Sequence, residues 1–201
     1  MKKILYIKAN PKTEEQSRTF KISEAFVKYY KEKNPNHKII TLDLYKENIR
    51  PLTLDDIETI FGPKSDDSKV NPLLKYAYEF AEADKYIVAS PFWNLSVPSI
   101  LKVYVDYICV TGISFKYTES GSLGLLENRR ALHITTRGGY YSEPPLLHVE
   151  MGDKYLRGIF GFMGITDFTT IAAEGLDIMG NDIQKIVDEA IEDAKTLAQS
   201  F

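Results

Sequence analysis

Short apolar runs alternate with longer stretches of helical periodicity along this chain. The apolar runs are rich in β-branched and aromatic residues, which predicts five strands, at residues 4–7, 38–44, 86–89, 131–135 and 169–173. Between these runs, apolar residues recur every three or four positions, which predicts helices at residues 17–33, 71–82, 98–110, 155–163 and 183–198. The chain is therefore expected to alternate strands with helices from one end to the other.

Two segments lack a clear period. Residues 45–70 are rich in Asp, Pro, Gly and Lys, and we expect a connection with short helical pieces near the mouth of any site. Residues 111–127 contain three glycines and are predicted to form a loop.

The alternation predicts one parallel sheet with helices on both faces, which is an α/β three-layer sandwich. With five strands, the flavodoxin-like order 2-1-3-4-5 is expected, and residues 1–201 are expected to form a single domain. In that order the first and third strands are neighbours at the point where the winding of the sheet reverses. The loops after Ile7 and Ala89 would then flank one crevice, and such crevices bind ligands in open α/β sheets.

Three loops that follow the first, third and fourth predicted strands carry residues suited to a nucleotide. Ser17-Arg18-Thr19 offers two hydroxyls, a guanidinium and the N–H groups of a helix start, which suit a phosphate. Phe92-Trp93-Asn94-Leu95 places large apolar side chains around one amide, which suits a flat, partly polar ring. Thr136-Arg137-Gly138-Gly139 has two glycines that let the backbone approach a ligand closely. Because all three would lie at one edge of the sheet, they favour a mononucleotide site.

Each loop also has a plainer explanation. Ser17 is suited to cap the helix that follows it, and for the tripeptide alone the cap is favoured. The apolar loop at 92–95 could simply plug the top of the sheet, and residues 136–139 could form a tight turn.

Composition narrows the possible partners. The net charge of −3 gives no basic surface for nucleic acid or an anionic membrane. The N-terminal apolar run is too short for a signal peptide, and no segment approaches the roughly 20 apolar residues of a membrane helix, so a cytoplasmic protein is expected. Cys109 is the only cysteine, and the histidines lack metal-ligand spacing, so no metal site is expected.

Several enzyme classes are disfavoured because their motifs are missing. Neither G-x-G-x-x-G nor the P-loop lysine signature occurs, so a dinucleotide-binding Rossmann fold and an ATPase lack support. No serine has a G-x-S-x-G setting, which argues against a hydrolase. His133 and Cys109 are predicted to be packed structural residues.

An ordered series of motifs runs along essentially the whole chain. It comprises Lys8-Ala9-Asn10-Pro11, Ser17 to Thr19, Pro91 to Leu95, Phe115 to Glu119 with Gly121, Gly124 to Leu126, Thr136 to Gly139, Gly161 to Ile165, and Ala173-Glu174-Gly175. In this series and its spacing the chain resembles the bacterial FMN-dependent NADH:azoreductases, also called NADH:quinone oxidoreductases. It departs conservatively from the residues that are most frequent in that family at Thr19, Phe92, Leu95 and Thr136.

The resemblance implies a homodimer with one non-covalent FMN per subunit and active sites at the subunit interface. The cofactor-binding residues that it implies are Asn10, Ser17, Arg18, Thr19, Pro91, Phe92, Trp93, Asn94, Leu95, Thr136, Arg137, Gly138 and Gly139. Within that set, Ser17 to Thr19 would hold the FMN phosphate, and Thr136 to Gly139 the pyrimidine end of the ring. The substrate pocket would include Tyr117 and, across the dimer, Phe162. No side chain is assigned as catalytic, because the flavin carries the chemistry.

The activity implied is a ping-pong reduction by two electrons. NADH would reduce FMN and leave, and a quinone or an aromatic azo compound would then take the two electrons. Reductive cleavage of an azo bond to two amines takes four electrons and would need two such rounds. Three alternatives stay open at this point. They are a quinone or nitro-compound reductase with little azo activity, a flavodoxin-like electron carrier that docks proteins, and an interaction module of the same fold without FMN.

Overall fold

The structure of the protein is a computed structural model that describes residues 1–201, apart from the side chain of Asp66. Its strands are β1 (Lys3–Lys8), β2 (Lys38–Asp43), β3 (Lys85–Ala89), β4 (Phe115–Thr118), β5 (Gly121–Gly124), β6 (Arg130–Thr136) and β7 (Asp167–Ala173). Its α-helices are α1 (Arg18–Lys33), α2 (Leu54–Phe61), α3 (Lys75–Ala81), α4 (Ser99–Ile108), α5 (Gly152–Phe162) and α6 (Ile183–Ala198).

The central sheet has five parallel strands in the order β2-β1-β3-β6-β7. This is the predicted order 2-1-3-4-5 once the separate pair β4 and β5 is set aside, so the predicted fold class is confirmed. The register places Ile7 beside Leu42 and Val88, and Val88 beside His133. All five strands therefore end at the same edge of the sheet.

Each face of the sheet has its own hydrophobic core, because neighbouring residues of a strand point to opposite faces. Leu5 and Ile7 belong to the core that packs against α3, α4 and α5. Ile4 and Tyr6 belong to the core that packs against α1 and α6. Burial on both faces fixes the strand ends, and with them the starts of the loops that follow.

The largest departure from the sequence prediction lies between residues 111 and 127. The sequence predicts a loop there, but the structure contains the antiparallel hairpin β4–β5. The prediction is wrong because only Phe115 of β4 is buried, while Lys116, Tyr117 and Thr118 are exposed. The apolar alternation that marks a half-buried strand is therefore missing from this segment.

Helix starts differ in smaller ways. The sequence predicts a helix from residue 155, but α5 begins at Gly152. The Glu150 carboxylate accepts the backbone N–H groups of Gly152 at 3.0 Å and Asp153 at 2.8 Å, which satisfies two of the orphan donors of the first turn. In the segment 45–70, the expected short helical pieces are α2 and a 3-10 helix at Asp66–Val70. Thr53 and Asp56 begin α2 with a capping box.

Within the described residues, no helix is both long and apolar enough to cross a membrane.

Candidate functional site

A cavity of about 340 Å³ opens where β1, β3, β6 and β7 end. Its volume is in the range of small-ligand sites in proteins. The residues that line it are Asn10, Lys12, Gln16, Ser17, Arg18, Thr19, Pro91, Phe92, Trp93, Thr136, Arg137, Gly138, Leu176 and Asp177. The three loops that stand out in the sequence therefore meet at one place.

Most of the residues implied to bind a cofactor line this cavity. Asn94, Leu95 and Gly139 belong to the same loops but lie outside the lining. The lining also includes residues that do not stand out in the sequence, namely Lys12, Gln16, Leu176 and Asp177. A signal for the last two exists in the topology, because the fifth predicted strand must end at the same edge as its neighbours.

The start of α1 forms one end of the cavity. The Ser17 side-chain oxygen accepts the Phe20 N–H at 3.1 Å and the Asn10 side-chain N–H at 3.0 Å, so Ser17 does cap the helix. These two bonds occupy both lone pairs of the hydroxyl and leave its proton free to be donated. The N–H groups of Arg18 and Thr19, in the first turn, have no partner within the helix. Together with the helix dipole, these donors make an anion site.

The loop after β3 folds into a tight two-residue turn. Trp93 and Ser96 exchange backbone hydrogen bonds of 2.9 and 3.0 Å across Asn94 and Leu95. Both central residues have positive φ, 49° at Asn94 and 67° at Leu95, as in type I′ turns. Asparagine tolerates this conformation, but a leucine there stores about 1–2 kcal/mol of strain. Strain held in a loop beside a cavity is typical of functional sites.

Phe92, at the start of this loop, is held in place by three neighbours. Its ring centroid lies 4.7 Å from that of Tyr141 and 5.5 Å from the Arg137 guanidinium carbon. A Cβ on Gly152 would lie 3.1 Å from the Phe92 ring, so the start of α5 also packs closely against it. The aromatic wall of the cavity is thus held rigidly by its neighbours.

In the glycine pair after β6, Gly138 and Gly139, the backbone carbonyls accept hydrogen bonds and the backbone N–H groups are left unpaired within the described residues. The Gly138 carbonyl accepts the Asp177 N–H at 2.9 Å, and the Gly139 carbonyl accepts the Gly175 N–H at 3.1 Å. The N–H groups of Gly138 and Gly139 bond to none of the described residues. A Cβ at Gly138 would lie only 2.4 Å from the Asp177 carboxylate, so a larger residue there would displace that side chain.

The Arg137 side chain points into the protein. Its Nη1 lies 2.8 Å from the Glu174 carboxylate and its Nη2 lies 3.3 Å from the Glu150 carboxylate. Thr136, the preceding residue, forms a 2.7 Å hydroxyl pair with Thr19, which ties the end of β6 to the start of α1. Arg137 therefore braces the cavity, while Thr136 joins two of its walls.

The two residues implied to line a substrate pocket lie outside the cavity of their own chain. Phe115 of the hairpin brings them together, with ring centroids 4.6 Å from Phe162 and 5.4 Å from Tyr117. Both Phe162 and Tyr117 are exposed.

His133 is a packed core residue, as predicted, and lies in a buried polar chain. Its ring nitrogens lie 3.0 Å from the Ser90 hydroxyl and 2.9 Å from the Asp153 carboxylate. Burial disfavours the charged form of Asp153, but hydrogen bonds from His133 and its neighbours hold the pKa of that carboxyl below its usual range. The Ser90 side chain is fully buried, so this serine cannot meet a substrate and the chain of groups does not make a hydrolase.

The structure also gives no support to a reactive thiol at Cys109 or to a metal site among the described residues. Burial raises the pKa of the Cys109 thiol to about 11, so it stays protonated at neutral pH. Among the described residues, no cluster of three or more His, Cys, Asp or Glu side chains could hold a metal ion.

Comparison with known proteins points in one direction. A family model described as the flavodoxin-like fold matches residues 2–198. An FMN-dependent NADH:quinone oxidoreductase of Clostridium beijerinckii is 58% identical over 201 residues, covering 100% of both chains. FMN-dependent NADH:quinone oxidoreductase 2 of Clostridium acetobutylicum is 59% identical, again over 100% of both chains.

Two solved structures of azoreductases are also similar to this chain over nearly its whole length. The crystal structure of an azoreductase from Bacillus anthracis superposes with a TM-score of 0.90 at 36% identity, covering 100% of both chains. An FMN-dependent NADH-azoreductase from the same species, in complex with FMN, has a TM-score of 0.88 at 30% identity, covering 98% of both chains.

Proposed function

Because the chain belongs to the flavodoxin-like family of FMN-dependent NADH:quinone oxidoreductases and azoreductases, we propose that it uses FMN to pass two electrons from NADH to quinones or aromatic azo compounds. The observation that carries this proposal is the cavity at the carboxyl edge of the sheet. One end of it offers an anion site, one wall is aromatic, and the glycine pair beside it carries N–H groups that bond to none of the described residues.

The donors around the cavity fit the parts of FMN. We propose that the Ser17 hydroxyl proton, the Arg18 guanidinium and the first N–H groups of α1 hold the phosphate, since all are donors at a helix start. Phe92 and Trp93 would lie along the ring, with the strained turn at Asn94 and Leu95 setting the approach of backbone groups. The N–H groups of Gly138 and Gly139 would meet the pyrimidine end.

When bound, FMN supplies a ring that accepts a hydride from NADH and passes two electrons on to an acceptor. The protein would hold this ring and stabilise its charge. The N–H groups of Gly138 and Gly139 would stabilise negative charge on the ring in the manner of an oxyanion hole. One open pocket would serve the donor and the acceptor in turn, so ping-pong kinetics are expected.

We further propose that the substrate pocket is completed in a homodimer. Phe162 and Tyr117 are exposed and lie outside the cavity of their own chain, as residues that contact the site of a second subunit would. Light scattering on the purified protein should then give twice the 22.9 kDa mass of the chain. A monomer with full acceptor turnover would contradict this part of the proposal. The cytoplasmic location stays a prediction, which fractionation of the source cells tests.

A visible spectrum recorded before and after anaerobic addition of NADH tests the proposed function. We expect a yellow protein whose flavin absorbance is bleached by NADH and recovered on adding a quinone. A colourless protein that cannot be reconstituted with FMN would refute the proposal. A yellow protein that NADH does not bleach would instead favour an electron carrier.

The acceptor needs a second measurement. Turnover of a benzoquinone and of methyl red, compared at equal enzyme concentration, separates a quinone or nitro-compound reductase from an enzyme that also cleaves azo bonds. The relatives at 58–59% identity are named as quinone oxidoreductases, so we expect the quinone to be the faster acceptor.

Two substitutions at Ser17 separate its role as a helix cap from its proposed role at the phosphate. Ser17→Ala removes the cap and should lower the free energy of unfolding of the FMN-free protein by about 1 kcal/mol, measured by urea denaturation. Ser17→Asp keeps a capping oxygen but adds negative charge. It should therefore keep the free energy of unfolding of the unmodified protein and weaken FMN binding by roughly tenfold or more. Unchanged FMN affinity in Ser17→Asp would mean that the phosphate does not lie at this helix start.

A further inference from the structure

Arg137 is a buried charge directly beside the cavity. Its guanidinium lies between the carboxylates of Glu174 at 2.8 Å and Glu150 at 3.3 Å. The three side chains are removed from water, with 3%, 14% and 4% of the Arg137, Glu174 and Glu150 side chains exposed. Charges held in such surroundings are screened little by water or salt, so they act strongly on other charges nearby.

The two carboxylates hold segments that border the site. Glu174 follows β7 and accepts the N–H groups of Tyr141 at 2.9 Å and Ser142 at 3.3 Å. Burial raises the pKa of the Glu174 carboxyl, but the hydrogen bond from Arg137 and those from the backbone more than offset this, so its pKa lies below the usual value. Glu150 accepts the N–H groups at the start of α5. The cluster therefore carries two carboxylates and one guanidinium, a net charge of −1.

The cluster is joined to the cavity by the chain itself. Arg137 lines the cavity, and the next residue is Gly138, whose N–H bonds to none of the described residues. The Arg137 Nε is buried and is likewise left without a partner among the described residues. Arg137 is thus the residue that precedes, in the chain, an N–H group proposed to stabilise negative charge on the ring.

We propose that Arg137 is a positioning residue that sets how much more tightly the site binds reduced FMN than oxidised FMN, acting through the charge of its cluster with Glu150 and Glu174. This inference rests on the proposed function. Reduction adds negative charge to the ring, so loss of the guanidinium, which makes the cluster −2, should disfavour the reduced form. Loss of the Glu174 charge, which makes the cluster neutral, should favour it.

The midpoint potential of bound FMN, measured by anaerobic titration against a reference dye, tests this inference. Arg137→Gln should lower the ratio of reduced to oxidised FMN affinity about tenfold, which is a fall of about 30 mV for a two-electron couple. Glu174→Gln should raise the potential by a similar amount. The double variant, Arg137→Gln with Glu174→Gln, restores the net charge of −1 and should return the potential close to that of the unmodified protein.

Two further variants exclude a merely structural role. Arg137→Lys keeps the charge and loses the planar fork, so it should keep the potential even if it lowers the melting temperature of the FMN-free protein. Arg130→Gln is the matched control, because Arg130 lies at the other end of β6 and pairs with Asp167 at 2.8 Å. It should leave the potential unchanged.

The outcomes that overturn the inference are distinct from failure of the proposed function. If the unmodified protein binds no FMN, the proposed function itself fails. If FMN binds and the potentials of Arg137→Gln and Glu174→Gln stay at the unmodified value, or move in the same direction, the charge of the cluster does not set the preference. Should Arg137→Gln fail to fold, Glu174→Gln and Arg137→Lys decide: the first must raise the potential and the second must leave it unchanged.

Discussion

Arg18→Ala should weaken the binding of FMN roughly tenfold to a hundredfold, because a charge-assisted hydrogen bond is worth about 1.5–3 kcal/mol. The Arg18 side chain is 44% exposed, and its contacts with the Leu176 carbonyl at 3.3 Å and the Asp177 carboxylate at 3.4 Å are long. The guanidinium can therefore turn to a phosphate at little cost. Fluorescence titration of the FMN-free protein measures the dissociation constant.

Riboflavin provides the sharpest control for this effect, because it has the same ring and no phosphate. Arg18→Ala should leave the affinity for riboflavin unchanged while that for FMN falls. Lys21→Ala is the matched variant, since it removes the same charge from an exposed position on α1 that does not line the cavity. If Arg18→Ala weakens riboflavin and FMN equally, the residue supports the fold of the site and does not hold the phosphate.

The arrangement of the sheet could be predicted because the strands carry their own signal. Runs such as Tyr86 to Ala89 are apolar throughout, and in the structure every residue of β3 is buried. Since parallel strands need helical crossovers, the alternation of the two patterns leaves few topologies. The position of the cavity then follows from the strand order, without any knowledge of side-chain contacts.

The interior of the site could not be predicted in the same way. In the sequence, Arg137 stands beside two glycines and suggests a direct ligand. In the structure, its side chain is held by Glu150 and Glu174, which belong to other segments of the chain. Asp177 likewise lines the cavity, although it lies beyond the motif Ala173-Glu174-Gly175. Such contacts are set by tertiary packing, which local patterns do not contain.

The hairpin β4–β5 could not be predicted from the periodicity of apolar residues, for a related reason. An isolated two-stranded hairpin is marginally stable in water, so this one depends on where it docks. Phe115 is buried against Phe162, and the Leu126 N–H donates to the Met163 carbonyl at 2.9 Å. Its stability therefore comes from the end of α5 and the turn that follows that helix.

Gly124→Ala should destabilise the protein by about 3 kcal/mol, at the upper end of the usual cost of overpacking. A Cβ at Gly124 would lie 2.2 Å from the Gly164 nitrogen and 2.3 Å from the Met163 carbonyl carbon. Both are backbone atoms, so no side chain can move aside, and the hairpin must separate from the end of α5. Urea denaturation of the FMN-free protein measures the loss.

The same substitution tests whether the hairpin serves the acceptor and not the cofactor. Because Gly124 lies outside the cavity, FMN affinity should change by no more than about twofold, as expected for distant sites. The KM for a quinone should rise, because Phe162 and Tyr117 are held in place through Phe115. Ser122→Ala, at an exposed position of β5, adds no atom and should change stability by less than about 0.5 kcal/mol. An unchanged KM in a destabilised Gly124→Ala protein would remove the hairpin from the proposed substrate pocket.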